Sequence, residues 1–176
     1  RLPSGVRRRT LLGSAAGVVV GTAGCLGGSQ PDLSIRTGAG TLHPASQQYI
    51  TDGLEPGGDR SAYAAVAPDE APDLVGADAS TPIARRLRRG GADQFHIVTQ
   101  LRSTPAAPLR FGTSQAVSWE EGRTVRLTTT VETATDLDAT LNSASQLVYT
   151  AVWGIEPELE ELPDEAELQL ENLSDG

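Results

Sequence analysis

Few side chains in this sequence could do chemistry. Cys25 is the single cysteine. As a thiolate it would be the chain's best nucleophile, but alone it forms no internal disulfide. His43 and His96 are the two imidazoles, the usual general bases near neutral pH. His43 stands in TLHPAS, which reads as a loop, and His96 on the polar side of a predicted strand. Both read as surface imidazoles and not as members of a triad. The nucleophile elbow Gly-x-Ser-x-Gly is absent, since Gly112-Thr113-Ser114-Gln115-Ala116 lacks the final glycine, and no Gly-rich phosphate loop occurs. Asp136, Asp138 and Asn142 alternate oxygen ligands as a calcium loop begins. An EF-hand then needs Gly at its sixth position and Glu at its twelfth, where this chain has Leu141 and Leu147. An acidic loop between strands fits better. Blue copper needs two His, a Cys and usually a weak axial ligand such as Met, and the chain has no Met. Catalytic residues, metal site and cofactor are therefore expected to be absent.

The surroundings of Cys25 concern address more than reaction. Arg7, Arg8 and Arg9 form a positive head. Thr10 to Gly24 are uncharged and rich in Leu, Val, Ala and Gly, and small residues precede Cys25. Charged head, apolar middle and small-residue exit is the layout of a secretory signal. As a helix the apolar part would cover roughly 22 Å, short of the about 30 Å of a bilayer core. Arg8-Arg9-Thr10-Leu11-Leu12 resembles a twin-arginine export signal, with Arg8 and Arg9 as the pair read by the export machinery. Thr22-Ala23-Gly24-Cys25 resembles a lipobox, although Thr22 stands where a bulky apolar residue is usual. That resemblance implies cleavage before Cys25 and lipid on its sulfur.

The chain has 14 arginines, no lysine and 23 acidic residues, for a net charge of -9. Residues 1–24 hold four of the arginines and no acid, so the remainder carries ten basic and 23 acidic groups, a net of -13. Such a surface repels phosphate backbones, which argues against nucleic acid as a partner. Self-repulsion also opposes a compact state unless salt screens it. With its acid-rich, lysine-free composition and its export signal, the chain resembles the small twin-arginine-exported lipoproteins of haloarchaea. That resemblance covers composition and the N-terminal residues only and implies no activity.

The elements that would position these residues are mostly strands. Thr124 to Glu132 alternates Val125, Leu127, Thr129 and Val131 with polar residues, the clearest half-buried strand. Ala116 to Trp119 and the turn-like Glu120-Glu121-Gly122 precede it, predicting a hairpin. Gln94 to Arg102 alternates similarly. Leu147 to Ile155 (LVYTAVWGI) is apolar on both faces and reads as a central strand. Ala166, Leu168 and Leu170 predict an outer strand, and Leu33 to Thr37 and Ala62 to Ala67 are weaker strands. Residues 38–60 and 68–80, rich in Gly, Pro, Asp and Ala, read as loops. Short strands between turn signals favour an all-β antiparallel sandwich, immunoglobulin-like or related. The predicted organisation is a signal over 1–24, the anchor cysteine and a flexible tether over 25–31, and the sandwich domain over 32–176. Trp119, Trp153, Tyr149 and Phe95, at strand spacing, are expected in its core.

One basic island interrupts the acidic chain: Arg85, Arg86, Arg88 and Arg89, within Ile83 to Gly91. Thr81 suits a helix N-cap, Pro82 the first position, Ile83 and Leu87 one face, and Gly90 the end. The arginines read as the wet face of a surface helix and are candidates for lipid headgroup contact. Asn172-Leu173-Ser174 fits the N-glycosylation acceptor pattern, so Asn172 is a candidate for that modification. The acidic stretch from Glu156 to Asp175 reads as a solvated edge and tail. The expectation is a salt-adapted, non-catalytic envelope protein, held by lipid at Cys25 outside the cytoplasmic membrane and binding a partner or surface. The alternative is a solute-binding or accessory component of a transporter. The sequence does not identify a protein partner.

Overall fold

Alternation carries the second half of the chain into a sheet. In the computed structural model, residues 32–89, 95–156 and 161–171 are described. They form β1 (Ser34–Pro44), β2 (Ala62–Pro68), β3 (Phe95–Ser103), β4 (Leu109–Glu120), β5 (Thr124–Thr133), β6 (Leu147–Glu156) and β7 (Glu165–Glu171), with helices α1 (Thr81–Arg89) and α2 (Ala139–Ser143). The predicted hairpin is β4–β5, with Glu120 opposite Thr124. Gly122 in its turn takes φ +73°, a conformation glycine adopts without a Cβ penalty. Arg123 beside it also has positive φ. Ion pairs to Glu161 at 3.1 Å and Asp164 at 3.4 Å hold that residue.

The strands make two sheets, a four-stranded one in the order β1-β6-β3-β2 and a three-stranded one in the order β4-β5-β7. The fold is thus the expected all-β, two-sheet arrangement. Its pairs are antiparallel except β5–β7, which is parallel. The immunoglobulin order would group strands 1, 2, 5 and 4 against 3, 6 and 7, so this sandwich is of a related kind with its own strand order. LVYTAVWGI is central as expected, with β6 between β1 and β3.

Two apolar clusters show how the layers stack. Between the sheets lie Phe95, Ile97 and Leu101 of β3, Ala151, Trp153 and Ile155 of β6, and Phe111, Val125 and Leu127 from the second sheet. The other face of the four-stranded sheet carries Val98 and Val152, covered by Ile83 and Leu87 of α1 and by Tyr49, Ile50 and Ala71. The four-stranded sheet is therefore buried on both faces, whereas the three-stranded sheet keeps one face wet.

The expected helix is α1. Ile83 and Leu87, four residues apart and so on one face, are fully buried. The Leu87 carbonyl accepts from the Ala71 amide at 2.7 Å. The segment 45–80 ties itself together beneath the helix, with the Gly76 amide donating to the Tyr49 carbonyl at 2.9 Å and the Thr51 amide to that of Leu74 at 3.0 Å.

Three expectations need correction. Residues 38–44 are not loop but the larger part of β1. Gly38 and Gly40 looked like breakers; they are there because aromatic rings lie over them. A Cβ at Gly38 would sit 3.3 Å from the Trp153 ring, and one at Gly40 would collide with the Tyr149 hydroxyl. His43 and His96 are not surface imidazoles. Their relative exposures are 2 % and 0 %, because α1 and residues 45–80 cover the face that alternation assigned to water. Asp138 is not simply part of an acidic loop: it caps α2, its carboxylate accepting from the Leu141 amide at 2.9 Å.

Candidate functional site

Inside the doubly covered sheet His43, Thr150 and Gln100 satisfy one another. The Pro44 carbonyl, 3.0 Å from His43 Nδ1, can only accept, so Nδ1 carries the proton. In the neutral ring Nε2 is then an acceptor, and it lies 2.8 Å from the Thr150 hydroxyl. That hydroxyl donates to His43 and accepts from Gln100 Nε2 at 2.9 Å. Gln100 Oε1 in turn accepts from the Leu54 amide at 2.7 Å, pinning the covering segment to the sheet. Tyr49 stacks on the imidazole with ring centroids 3.6 Å apart and planes 5° from parallel. Burial lowers the His43 pKa to about 4, against the opposing pull of the Pro44 carbonyl and the Asp78 carboxylate. An imidazole so enclosed is neutral at physiological pH and out of reach of an external substrate. Its work is structural.

A cleft of about 310 Å³ opens between the sheets where β1 and β4 face each other. Both are edge strands. At the opposite seam β2 and β7 pack together. The cleft exists because the β4–β5 ladder breaks between Phe111 and Gln115, and because Gly38 and Gly40 have no side chains to fill it. Phe111 meets Tyr149 edge-on at 5.5 Å and Trp153 at 6.0 Å, and the Trp153 indole donates to the Thr99 hydroxyl at 2.8 Å. Arg110 and Glu132 pair at 3.2 Å beside it. Burial raises the Tyr149 pKa while the Arg110 charge opposes that rise. Of the aromatics expected in the core, Phe95 and Trp153 are buried, and Tyr149 and Trp119 are half-buried against the same cluster.

The third region is α1. Arg85, Arg88 and Arg89 are exposed on its outer side and Arg86 is half-buried. The structure thus gathers the four arginines on one helix, away from the cleft. Arg8, Arg9, Cys25 and Asn172 lie outside the described residues.

Sequence reasoning missed the His43–Thr150–Gln100 network and the cleft. The first carried one legible signal: Gln100 and Thr150 stand in runs otherwise able to be buried on both faces, where a polar residue needs an internal partner. For the cleft, the two glycines one residue apart in β1 were the signal. Among the described residues no group of three or more His, Cys, Asp or Glu could hold a metal ion. Nor is any described helix long and apolar enough to cross a membrane. Comparison with protein-family models, with curated proteins and with solved structures gives no match.

Proposed function

We propose that this is an exported, lipid-anchored envelope protein whose β domain stands outside the cytoplasmic membrane and serves by binding, without catalysis. One observation carries the reading. Arg7 to Arg9, the uncharged apolar stretch Thr10 to Gly24 and the small residues before Cys25 follow one another in the layout of a secretory signal that ends at the anchor cysteine. The Gly- and Ser-rich residues after Cys25 have the composition of a tether. The sealed imidazoles support the non-catalytic half of the reading. The test is fractionation of cells expressing the intact protein and its Cys25→Ser form. The intact protein is expected with membranes and the variant in the soluble fraction. Equal membrane retention of both would reject attachment through Cys25.

The cleft favours a second reading, a solute-binding accessory of a transporter. Its volume is at the small end of ligand sites, and an aromatic floor beside a few polar groups is how such sites are built. Trp153 lies in that floor. A small solute that shifts tryptophan fluorescence in the intact protein, but not in Gly40→Ala, where the Tyr149 ring must move into the cleft, would favour this reading. No shift across amino acids, sugars and carboxylates would dismiss it.

A further inference from the structure

We propose that α1 seats the domain on the membrane, with Arg85, Arg88 and Arg89 contacting the phosphates of anionic lipid headgroups. The proposal rests on the anchoring at Cys25 proposed above. Ile83 and Leu87 fix the buried side of the helix. Residues 85, 88 and 89 are spaced three and four apart, so they share a side, and at about 100° per residue that side is opposite the buried one. All three are exposed, and none forms an ion pair with another described residue. A cationic helix face on a chain of net charge -9 calls for an anionic counterpart.

The topology brings that face to where the chain enters. α1 starts beside β1, the Ser80 hydroxyl lying 3.2 Å from that of Thr41. It ends at Ala71, three residues beyond the end of β2. There Pro68 pairs with Phe95, Phe95 with Ile155 and Ile155 with Ile35 at the start of β1. The last turn of α1 and the first residues of β1 therefore share one end of the sheet. Ser34 is nine residue steps from Cys25, a reach of about 30 Å when fully extended. A lipid at Cys25 holds this end, and α1 with it, close to the bilayer. On the opposite outer layer, Glu120, Glu132 and Glu167 against Arg110 and Arg126 then point away from the anionic surface.

Guanidinium suits the task. Near molar salt the screening length is about 3 Å, so only groups in direct contact attract. Arginine's planar fork makes paired, charge-assisted hydrogen bonds to phosphate at that range. Asp69, Glu70 and Asp73 lie on the segment packed beside the end of α1. They offer the arginines an intramolecular use, and the experiment separates the two.

The full chain carrying Cys25→Ser is sedimented near molar salt with vesicles of phosphatidylglycerol or of phosphatidylcholine. Arg7 to Arg9 and the apolar residues after them contribute equally to every variant, so differences report on α1. The Arg85→Gln/Arg88→Gln/Arg89→Gln variant is expected to lose about a hundredfold of its affinity for phosphatidylglycerol, at roughly fivefold per basic group. Its weak binding to phosphatidylcholine should not change, and the corresponding triple Lys variant, which keeps the charge without the fork, should lose less than the triple Gln variant. If the triple Gln variant does not fold by circular dichroism, single Arg85→Gln and Arg89→Gln variants, each expected to lose about fivefold, replace it. Unchanged binding to phosphatidylglycerol overturns the proposal. So does a lowered melting temperature with binding intact, which would assign the arginines to Asp69, Glu70 and Asp73. An arginine-dependent dimer that ignores vesicles overturns it as well. Because no lipid is attached at position 25 in this assay, its failure is distinct from failure of the fractionation test.

Discussion

The two sheets of this protein solve different problems. The four-stranded sheet is packed on both faces, so its polar groups must find partners inside: Thr150 serves His43 and Gln100 together, and Thr99 serves Trp153. The three-stranded sheet buries one face and wets the other. Its outward residues are arginines, glutamates and threonines, with Arg126 bridging Glu120 at 3.2 Å and Glu167 at 3.1 Å. A doubly covered sheet gains apolar burial on both sides, but every amide or imidazole it hides costs free energy unless it finds a partner there. A singly covered sheet can carry charge at little cost, because water and neighbouring ions share the load.

The comparison can be broken most completely through salt. With 23 acids against ten basic groups after residue 24, both sheets are expected to unfold together when ionic strength falls from molar, where the Debye length is about 3 Å, to 0.01 M, where it is about 30 Å. Circular dichroism during dialysis checks this, and an unchanged melting point at low salt would show that the acidic surface exerts no such strain. Next in size is truncation in the core. Ile97→Ala, in a fully buried position of β3, is expected to cost about 2–5 kcal/mol by denaturant titration. Leu168→Ala, half-buried in β7, should cost clearly less. Both side chains belong to the core between the sheets, so equal losses would mean that full burial grips a side chain no better than half-burial.

Acid sharpens the contrast. His43 has a folded pKa of about 4, below its ordinary 6.5. Its neutral form stabilises the fold fully above pH 6.5. Between 6.5 and about 4 the unfolded chain binds a proton that the folded chain refuses, so stability falls with pH, by about 3 kcal/mol at the lower end. The wild type should therefore lose more stability than His43→Gln between pH 7 and 4.5. Parallel pH profiles would show that the ring titrates normally. The smallest effect belongs to the wet sheet. Arg126→Gln breaks two exposed ion pairs and should change stability by less than about 1 kcal/mol, measured by thermal melting at matched salt.

Legibility followed the same division. Strands with one wet face announce themselves by period-two alternation, and β5 and β7 were readable almost residue by residue. So were β6, from its continuous apolar run, and α1, from Thr81, Pro82 and the Ile83–Leu87 spacing. The misreadings cluster on the doubly covered sheet. There His96 and Gln100 alternate with apolar residues just as surface groups would, and only the cover from residues 45–80 and α1 hides them. No local pattern reports a cover that comes from elsewhere in the chain. In β1, glycine reads as a breaker because what it accommodates, Trp153 and Tyr149, lies more than a hundred residues away. The cleft was illegible for the same reason. The reading of Cys25 and the residues before it as an address comes from the sequence alone.

The position of β6 has a consequence for the making of the protein. β1 leaves the ribosome first, yet its hydrogen-bonded neighbour is β6, made more than a hundred residues later. β6 is also the partner of β3, and β7 cannot reach its parallel place beside β5 until the chain has passed through β6. Pairings so distant in sequence form slowly. Until residue 156 is available the nascent chain holds an eleven-residue strand with both edges bare, a template for wrong pairing. Closure of the body thus waits for residues 147–156. A chain stopped before residue 147 should emerge as a protease-sensitive, aggregation-prone fragment and not as a smaller version of the domain.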